Sequence, residues 1–278
     1  MLRFLFVLLA AAAASGGSLD RARSLYQQTE YRKAIQELSS AAESAEAAAL
    51  AGRCWYQLGD FKRAVDSLER AVQLDPGRSE YHLWLGRAHG RRAETSNPLS
   101  APGHAVKARM SFEKAVELDP ANVEAMSDLF SYYLEAPGFL GGGLDKAEAL
   151  AVKMKARDLP EHHVAMARLA ERRKQPDIVE RELRRAVELA PKSAGRLIEL
   201  ARFLARQGRI PESEQALARA RQAEPASKQV LYAQAQIYVE GRRNLEDARR
   251  LLEEYLKGPI TPDDPSREEA LRLLEKAR

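Results

Sequence analysis

Cysteine is nearly absent from this chain: a single residue, Cys54, stands among 278. A fold held by internal disulfides is excluded, because a bridge needs two thiols. Aromatic residues make up only 6 % of the chain. That leaves little for β-strands, which favour aromatic and β-branched side chains, whereas abundant Ala, Leu, Glu and Arg favour helices. Charge imbalance is also slight, with 44 Lys and Arg against 40 Asp and Glu and a net charge of +4. Composition alone therefore gives no reason to expect nucleic acid as a partner. The one extended apolar run, from Phe4 to about Ala14, is well short of the roughly 20 residues that span a bilayer.

That run is preceded by Arg3 and followed by small residues, the pattern of a secretory signal peptide over residues 1–16, cleaved after Ala14 or Gly16. It predicts an exported protein, periplasmic or secreted, with no stable membrane insertion after cleavage. No cysteine follows the run to carry a lipid, and Cys54, between Arg53 and Trp55, reads as a small buried side chain.

The most regular stretch runs from Ala48 to Pro76. Small residues (Gly52, Ala64, Ala71) alternate there with large apolar ones (Trp55, Leu58, Phe61, Leu68) at helical spacing, broken at Gly59-Asp60 and stopped at Asp75-Pro76. The spacing predicts a helical hairpin whose helices approach closely at Gly52 and Ala64, with Trp55, Phe61 and Leu68 filling the seam. The unit resembles the tetratricopeptide repeat, a pattern of about 34 residues. Further copies are read over Leu19–Gln28 with Tyr31–Ala42 (Ala34, Leu38 and Ala41 packing), from Glu80 to Pro120, from Val123 through Asp145, and over 160–191, 194–225 and 228–259. Ala186, Ala201, Ala220 and Ala235 are close-approach positions in the later copies. The third and fourth carry extra residues, expected as loops near 93–104 and 136–143.

Residues 262–278 predict a last amphipathic helix that covers the apolar end of the array, with Ser266 and Glu269 forming a capping box and Leu271, Leu273 and Leu274 facing inward. The expected fold is all-α: a right-handed solenoid of about seven helix pairs over residues 17–260, closed by a capping helix over 261–278. The segments SAPG, DLFSYYLEAPGFLGGGLDKAEAL and MARLAERR further resemble a group of exported bacterial tetratricopeptide proteins with no assigned activity.

Catalytic chemistry finds little support. Gly141-Gly142-Gly143 lacks the Gly-Lys-Ser/Thr ending of a phosphate loop and follows no strand, so it reads as a wide turn with Pro137, Phe139 and Leu140 tucked against the helices. His82 and His89 occupy helix-packing slots, and adjacent His162 and His163 point different ways on a helix. No serine sits in a nucleophile elbow. We therefore expect no enzyme activity, no metal and no cofactor.

The resemblance implies that the first helix of each pair lines a concave face. Aligning the repeats places Arg53, Arg87, Arg168 and Arg202 at one inward position, one residue past the Gly or Ala slot, with Arg91, Arg172 and Arg206 one turn later. Arg at i and i+4 repels mildly unless acids lie nearby, and Asp128, Glu135, Glu171 and Glu199 are candidates. Two readings stand: an ordinary solvated face, or an arginine-lined groove for an acidic or C-terminal peptide segment. The Lys/Asn carboxylate clamp of some family members is absent, since matching positions hold Ala49, Arg53, Leu83 and Arg87. The function expected is a non-enzymatic protein-interaction scaffold binding a protein or peptide and no nucleic acid. The alternatives are a structural assembly factor that dimerises, or an accessory subunit of an envelope enzyme or secretion complex. Intact mass of the protein from a periplasmic fraction should show a chain starting near Ser15 or Gly17; a full-length species found only in membranes would refute the leader.

Overall fold

The computed structural model describes residues 17–40 and 44–278. The leader over residues 1–16 and the packing position Ala41 lie outside them. Among the described residues there are fifteen α-helices, one 3-10 turn and no strand. They are α1 (residues 17–27), α2 (Tyr31–Ser39), α3 (Ala45–Gln57), α4 (Phe61–Leu74), α5 (Ser79–Thr95), α6 (Ala101–Leu118), α7 (Val123–Glu135), α8 (Leu144–Met154), α9 (Leu159–Arg172), α10 (Pro176–Leu189), α11 (Ala194–Arg206), α12 (Ile210–Ala223), α13 (Lys228–Glu240), α14 (Leu245–Lys257) and α15 (Arg267–Lys276). In chain order they make seven successive two-helix segments and a last helix, and the chain divides into two compact units: residues up to Ala147, and residues from Glu148.

In the first unit α3 packs on α4 and α5 on α6. A Cβ added to Gly52 would lie 2.5 Å from Leu68 Cγ, and one added to Gly86 would lie 2.5 Å from the Phe112 ring. These glycines are therefore contact surfaces, and Ala64, Ala71, Ala108 and Ala115 line the same seams, fully buried. Leu68 fills the α3–α4 seam as expected, whereas Trp55 and Phe61 are only half-buried. Cys54 is buried and in no disulfide, and burial pushes its thiol up to about 12.

The turn inside a pair has a repeated geometry. Thr29, Gly59, Lys174 and Gly208 each adopt a left-handed backbone, with φ between 57° and 75°. The residue after each donates its amide to a carbonyl five residues back: Glu30 to Leu25, Asp60 to Trp55, Gln175 to Ala170 and Arg209 to Leu204. This helix-ending hydrogen bond satisfies a carbonyl that the helix itself leaves open.

The extra residues of the third pair do not form the expected loop over 93–104. They lengthen both helices, α5 to 17 residues and α6 to 18, leaving only residues 96–100 between them. Ala93, Glu94 and Thr95 continue a helix without strain. The break is confined to Asn97-Pro98, where the Asn97 side chain accepts the amides of Leu99 (3.0 Å) and Ser100 (3.1 Å). Pro102 is harmless in the first turn of α6, where no backbone donor is needed.

The fourth pair does carry a loop, with a 3-10 turn at Gly138–Leu140. Tyr132 Oη donates to Leu140 O (2.9 Å), and Gly143 N donates to Tyr133 O (2.8 Å). Beneath the loop, Arg109 and Tyr133 Oη both donate to Glu113. A Cβ on Gly142 would lie 1.8 Å from Ala136 O, so the glycines serve a tight crossing. Pro137 and Phe139 are not tucked in; Phe139 is 82 % exposed. Leu140 takes the inward place, and successive residues of a 3-10 turn project about 120° apart.

In the second unit α9 packs on α10, α11 on α12 and α13 on α14. Ala186, Ala201, Ala220 and Ala235 are fully buried at their seams. The last helix, α15, packs on both α13 and α14, and Ser266 with Glu269 forms the expected capping box. Of its expected inward residues Leu273 is buried and Leu274 is half-buried against the core, and Leu271 alone faces out. Ala270, Leu273 and Ala277 are buried, while Leu271 is 44 % exposed. With 3.6 residues per turn, positions i, i+3 and i+7 share a face and i+1 stands about 100° away. Tyr255 of α14 lies in the same cluster and donates its hydroxyl to Pro265 O, which fixes the approach to α15.

Gly86 and Gly90 lie one turn apart on α5, yet only Gly86 faces a neighbour; a Cβ on Gly90 meets nothing within 4 Å. Gly86→Ala should lower stability by about 1–3 kcal/mol through overpacking against Phe112. Gly90→Ala should raise it by roughly 0.5–1 kcal/mol by restricting the unfolded chain. Denaturant melts giving both variants the same sign would refute the assignment of the α5–α6 seam.

Candidate binding face on the first helices

On each first helix the residue after the small seam position is turned about 100° out of the seam. There stand Arg53 on α3, Arg87 on α5, Arg168 on α9 and Arg202 on α11, all half-buried. Three of them reach forward to the first helix of the next pair. Arg53 Nη1 donates to Glu80 on α5 (2.9 Å). Arg87 donates from Nε to Asp128 (2.5 Å) and from Nη2 to Glu124 (2.7 Å), both on α7. In the second unit Arg202 donates to Gln236 on α13 (3.0 Å) and to Glu199 on its own helix (3.1 Å). Burial alone would lower the pKa of Arg87, but Asp128 and Glu124 outweigh it and hold the guanidinium above its ordinary value.

The second row is more open. Arg91, Arg172 and Arg206 are exposed; Arg91 pairs with Glu94, and Arg206 reaches back to Glu171 on α9 (2.8 Å). Asp128, Glu171 and Glu199 thus supply the compensation expected of them. Arg196 on α11, which the repeat alignment does not single out, makes a further link to Glu161 on α9 (2.5 Å). The exposed pairs of Arg91 with Glu94 and of Arg206 with Glu171 are individually worth only about 0–1 kcal/mol.

Aromatic rings complete the face in the first unit. The Arg53 guanidinium lies 4.9 Å from the Tyr26 ring centroid and 4.7 Å from that of Trp84, and Arg87 stacks on Trp84 at 4.9 Å. Between α1, α3 and α5, Tyr26, Arg53 and Trp84 line a cavity of roughly 270 Å³, with Leu50 and Tyr81 also in its wall. Trp84 fills the slot, two residues before the small position, that Leu50 holds one repeat earlier. That exchange of an aliphatic for an aromatic side chain was the signal for the cavity in the sequence. Tyr26 carried none, because its repeat departs from the regular pattern.

The histidines are packing groups. His82 Nε2 bonds Pro76 O (3.0 Å), and His162 Nδ1 bonds Ala151 O (2.7 Å). His163 Nδ1 meets Glu182 (2.7 Å). His89, 2 % exposed, faces His104 with their Nδ1 atoms 3.2 Å apart. Burial, aided by Lys107, pushes the His89 pKa down to about 4. No group of three or more His, Cys, Asp or Glu among the described residues is placed to share a metal ion. No helix among them is long and apolar enough to cross a membrane.

Comparison with known proteins agrees with this architecture. Two family models, both described as tetratricopeptide repeat, match the chain: one at residues 19–79 and 51–92, the other at 172–237, together about half of its length. A tetratricopeptide repeat protein from Parabacteroides merdae superimposes with a TM-score of 0.59 at 13 % identity, covering 95 % of this chain and 99 % of its own. A thermophilic protein of the same kind from Thermus thermophilus gives 0.55 at 21 % identity, covering 68 % of this chain and 98 % of its own. At such identities the likeness is one of fold. No curated protein matches the chain.

The His89 shift has a consequence for stability. With the pKa depressed from 6.5 to about 4, the unfolded chain binds the proton more readily than the folded one. The neutral imidazole therefore contributes fully above pH about 6.5, and that contribution is lost as pH falls through about 4, up to roughly 3 kcal/mol. Melts between pH 7 and pH 4 should show His89→Gln losing less stability than the parent; equal slopes would remove His89 as the cause.

Proposed function

Because this chain belongs to the tetratricopeptide repeat family, whose helix pairs are protein-interaction scaffolds, we propose that it is a non-enzymatic, exported scaffold. It binds a protein partner along the first-helix faces of its repeats. The observation that carries this reading is the composition of that face in the first unit, where Tyr26, Tyr81, Trp84 and Arg53 converge on one cavity from three helices. Tyr, Trp and Arg are the residue types that dominate binding energy at protein interfaces. The partner segment is acidic in this reading. Arg91, Arg172 and Arg206 are exposed, and a guanidinium already bound to one carboxylate keeps donors for another. Export rests on the pattern of residues 1–16.

A second reading, an accessory subunit or assembly factor that docks by its loops, is favoured by two apolar side chains in the first unit: Leu99, 96 % exposed, and Phe139. One experiment separates them. The mature chain is immobilised and exposed to an envelope extract at low salt, and stoichiometric partners are identified by mass. Arg53→Glu, and separately Arg202→Glu with Arg206→Glu, should reduce capture severalfold while leaving the helical signal unchanged, and rising salt should shrink the difference. Full capture by both arginine variants, with loss in Leu99→Ser combined with Phe139→Ser, would overturn the first reading in favour of the loops.

A further inference from the structure

A second surface of the first unit lies at the edge where the helices of its pairs turn back on one another. Arg32 from the start of α2, Lys62 and Arg63 from the start of α4, and Arg92 from the end of α5 line one depression there, of roughly 410 Å³. Trp55, Leu58 and Phe61, all half-buried, supply its apolar lining. Asp60 is the one carboxylate of the lining among the described residues. Arg63 already takes it at 2.6 Å, while the Arg63 guanidinium lies over the Trp55 ring. Arg32, Lys62 and Arg92 make no ion pair among the described residues.

This charge stands where the helices do not favour it. The start of a helix carries a partial positive charge, so acids stabilise its first turn and cations do not. In the second unit α10, α12 and α14 follow that rule, with Asp177, Glu212 and the pair Glu246 and Asp247 in their first turns. Neither α2 nor α4 has an acid there; they carry Arg32-Lys33 and Lys62-Arg63 instead. Asp60 caps α4 by accepting the Arg63 amide (3.0 Å), so what this edge presents to a ligand is its side chains.

Unanswered cations spread over three successive pairs fit a partner that presents many anions side by side. Anionic lipid headgroups do so, and each Lys or Arg close to such a surface strengthens attachment about fivefold. A further observation separates lipid from a charged peptide. Thr95 lines the depression and closes α5. Leu99 stands four residues on, 96 % exposed, and four residues of chain reach no more than about 14 Å. A bare leucine near basic side chains matches the boundary between headgroups and acyl chains. We propose that the turn edge of the first unit is a peripheral docking surface for anionic phospholipid. Arg32, Lys62 and Arg92 meet the phosphates there, and Leu99 enters the headgroup layer. No described helix is long and apolar enough to cross the bilayer, so the attachment is reversible and weakened by salt.

The test uses residues 17–278, which contain every described helix and lack the apolar run near the start. Its probes are vesicles of pure phosphatidylcholine and vesicles that also hold about one-third phosphatidylglycerol, with binding read by cosedimentation. The chain should sediment with the anionic vesicles alone, and less so as salt rises. Arg32→Gln, Lys62→Gln and Arg92→Gln together should weaken binding about a hundredfold. Lys155→Gln, Lys192→Gln and Arg219→Gln, at exposed positions of the second unit, remove the same net charge and should leave it unchanged. Leu99→Ser should weaken it severalfold. Arg32→Gln with Lys62→Gln should melt no lower than the parent, because each removes a cation from the start of a helix; lost binding is then not lost fold. No attachment to anionic vesicles, or equal losses in the two triple variants, would overturn the surface. Binding of a labelled glutamate oligomer that the first triple variant abolishes, with vesicles ignored, would assign the edge to an acidic protein segment and overturn the lipid. None of these cations is changed in the partner-capture experiment, so the docking surface and the scaffold reading fail separately.

Discussion

Everything in this fold depends on how closely the two helices of a pair approach. Gly52 against Leu68 and Gly86 against Phe112 leave no room for a methyl group, and Ala186, Ala201, Ala220 and Ala235 play the corresponding part further along. A pair so joined is a thin object with apolar surface on both sides. It becomes stable only by stacking, because each pair supplies the cover that its neighbour lacks. The buried clusters of the second unit extend from one pair to the next, and the last is closed by α15.

Close approach also dictates what the first helices can present. Once the small residue is pressed into the seam, its successor is turned out of it, and in four pairs that successor is arginine. A long side chain rooted there can reach the neighbouring first helix, and Arg53, Arg87 and Arg202 do so. The arginines therefore tie consecutive pairs together, and the charge expected to attract a partner is partly answered from within. Under the proposed scaffold reading, what those ties leave to a partner is above all the Tyr26–Arg53–Trp84–Arg87 stack.

The irregular segments show the same economy of backbone hydrogen bonds. The lengthened α5 and α6 stop only where Asn97 and Pro98 offer an alternative to helix. The glycine-rich turn after α7 is held by Tyr132 Oη, which donates to Leu140 O, and by Gly143 N, which donates to Tyr133 O, and Gly142 serves a close crossing of the chain over Ala136. Leu99 and Phe139 project from these two turns as the most exposed large apolar side chains of the described residues.

The sequence by itself determined the helix pairs, their number, the small residues at the seams, the capping box of α15 and the equivalence of Arg53, Arg87, Arg168 and Arg202. Each is a matter of spacing within about 34 residues, and helical periodicity converts spacing directly into direction. Only the tertiary structure decided that residues 93–95 and 101–104 extend helices, that Leu271 and Phe139 face outward, and which carboxylate each arginine takes. It alone brought Tyr26, Arg53 and Trp84 around one cavity. Most of those outcomes join residues roughly 27 to 60 positions apart, or turn on a single step of 100° at a helix end, and periodicity carries no information on either.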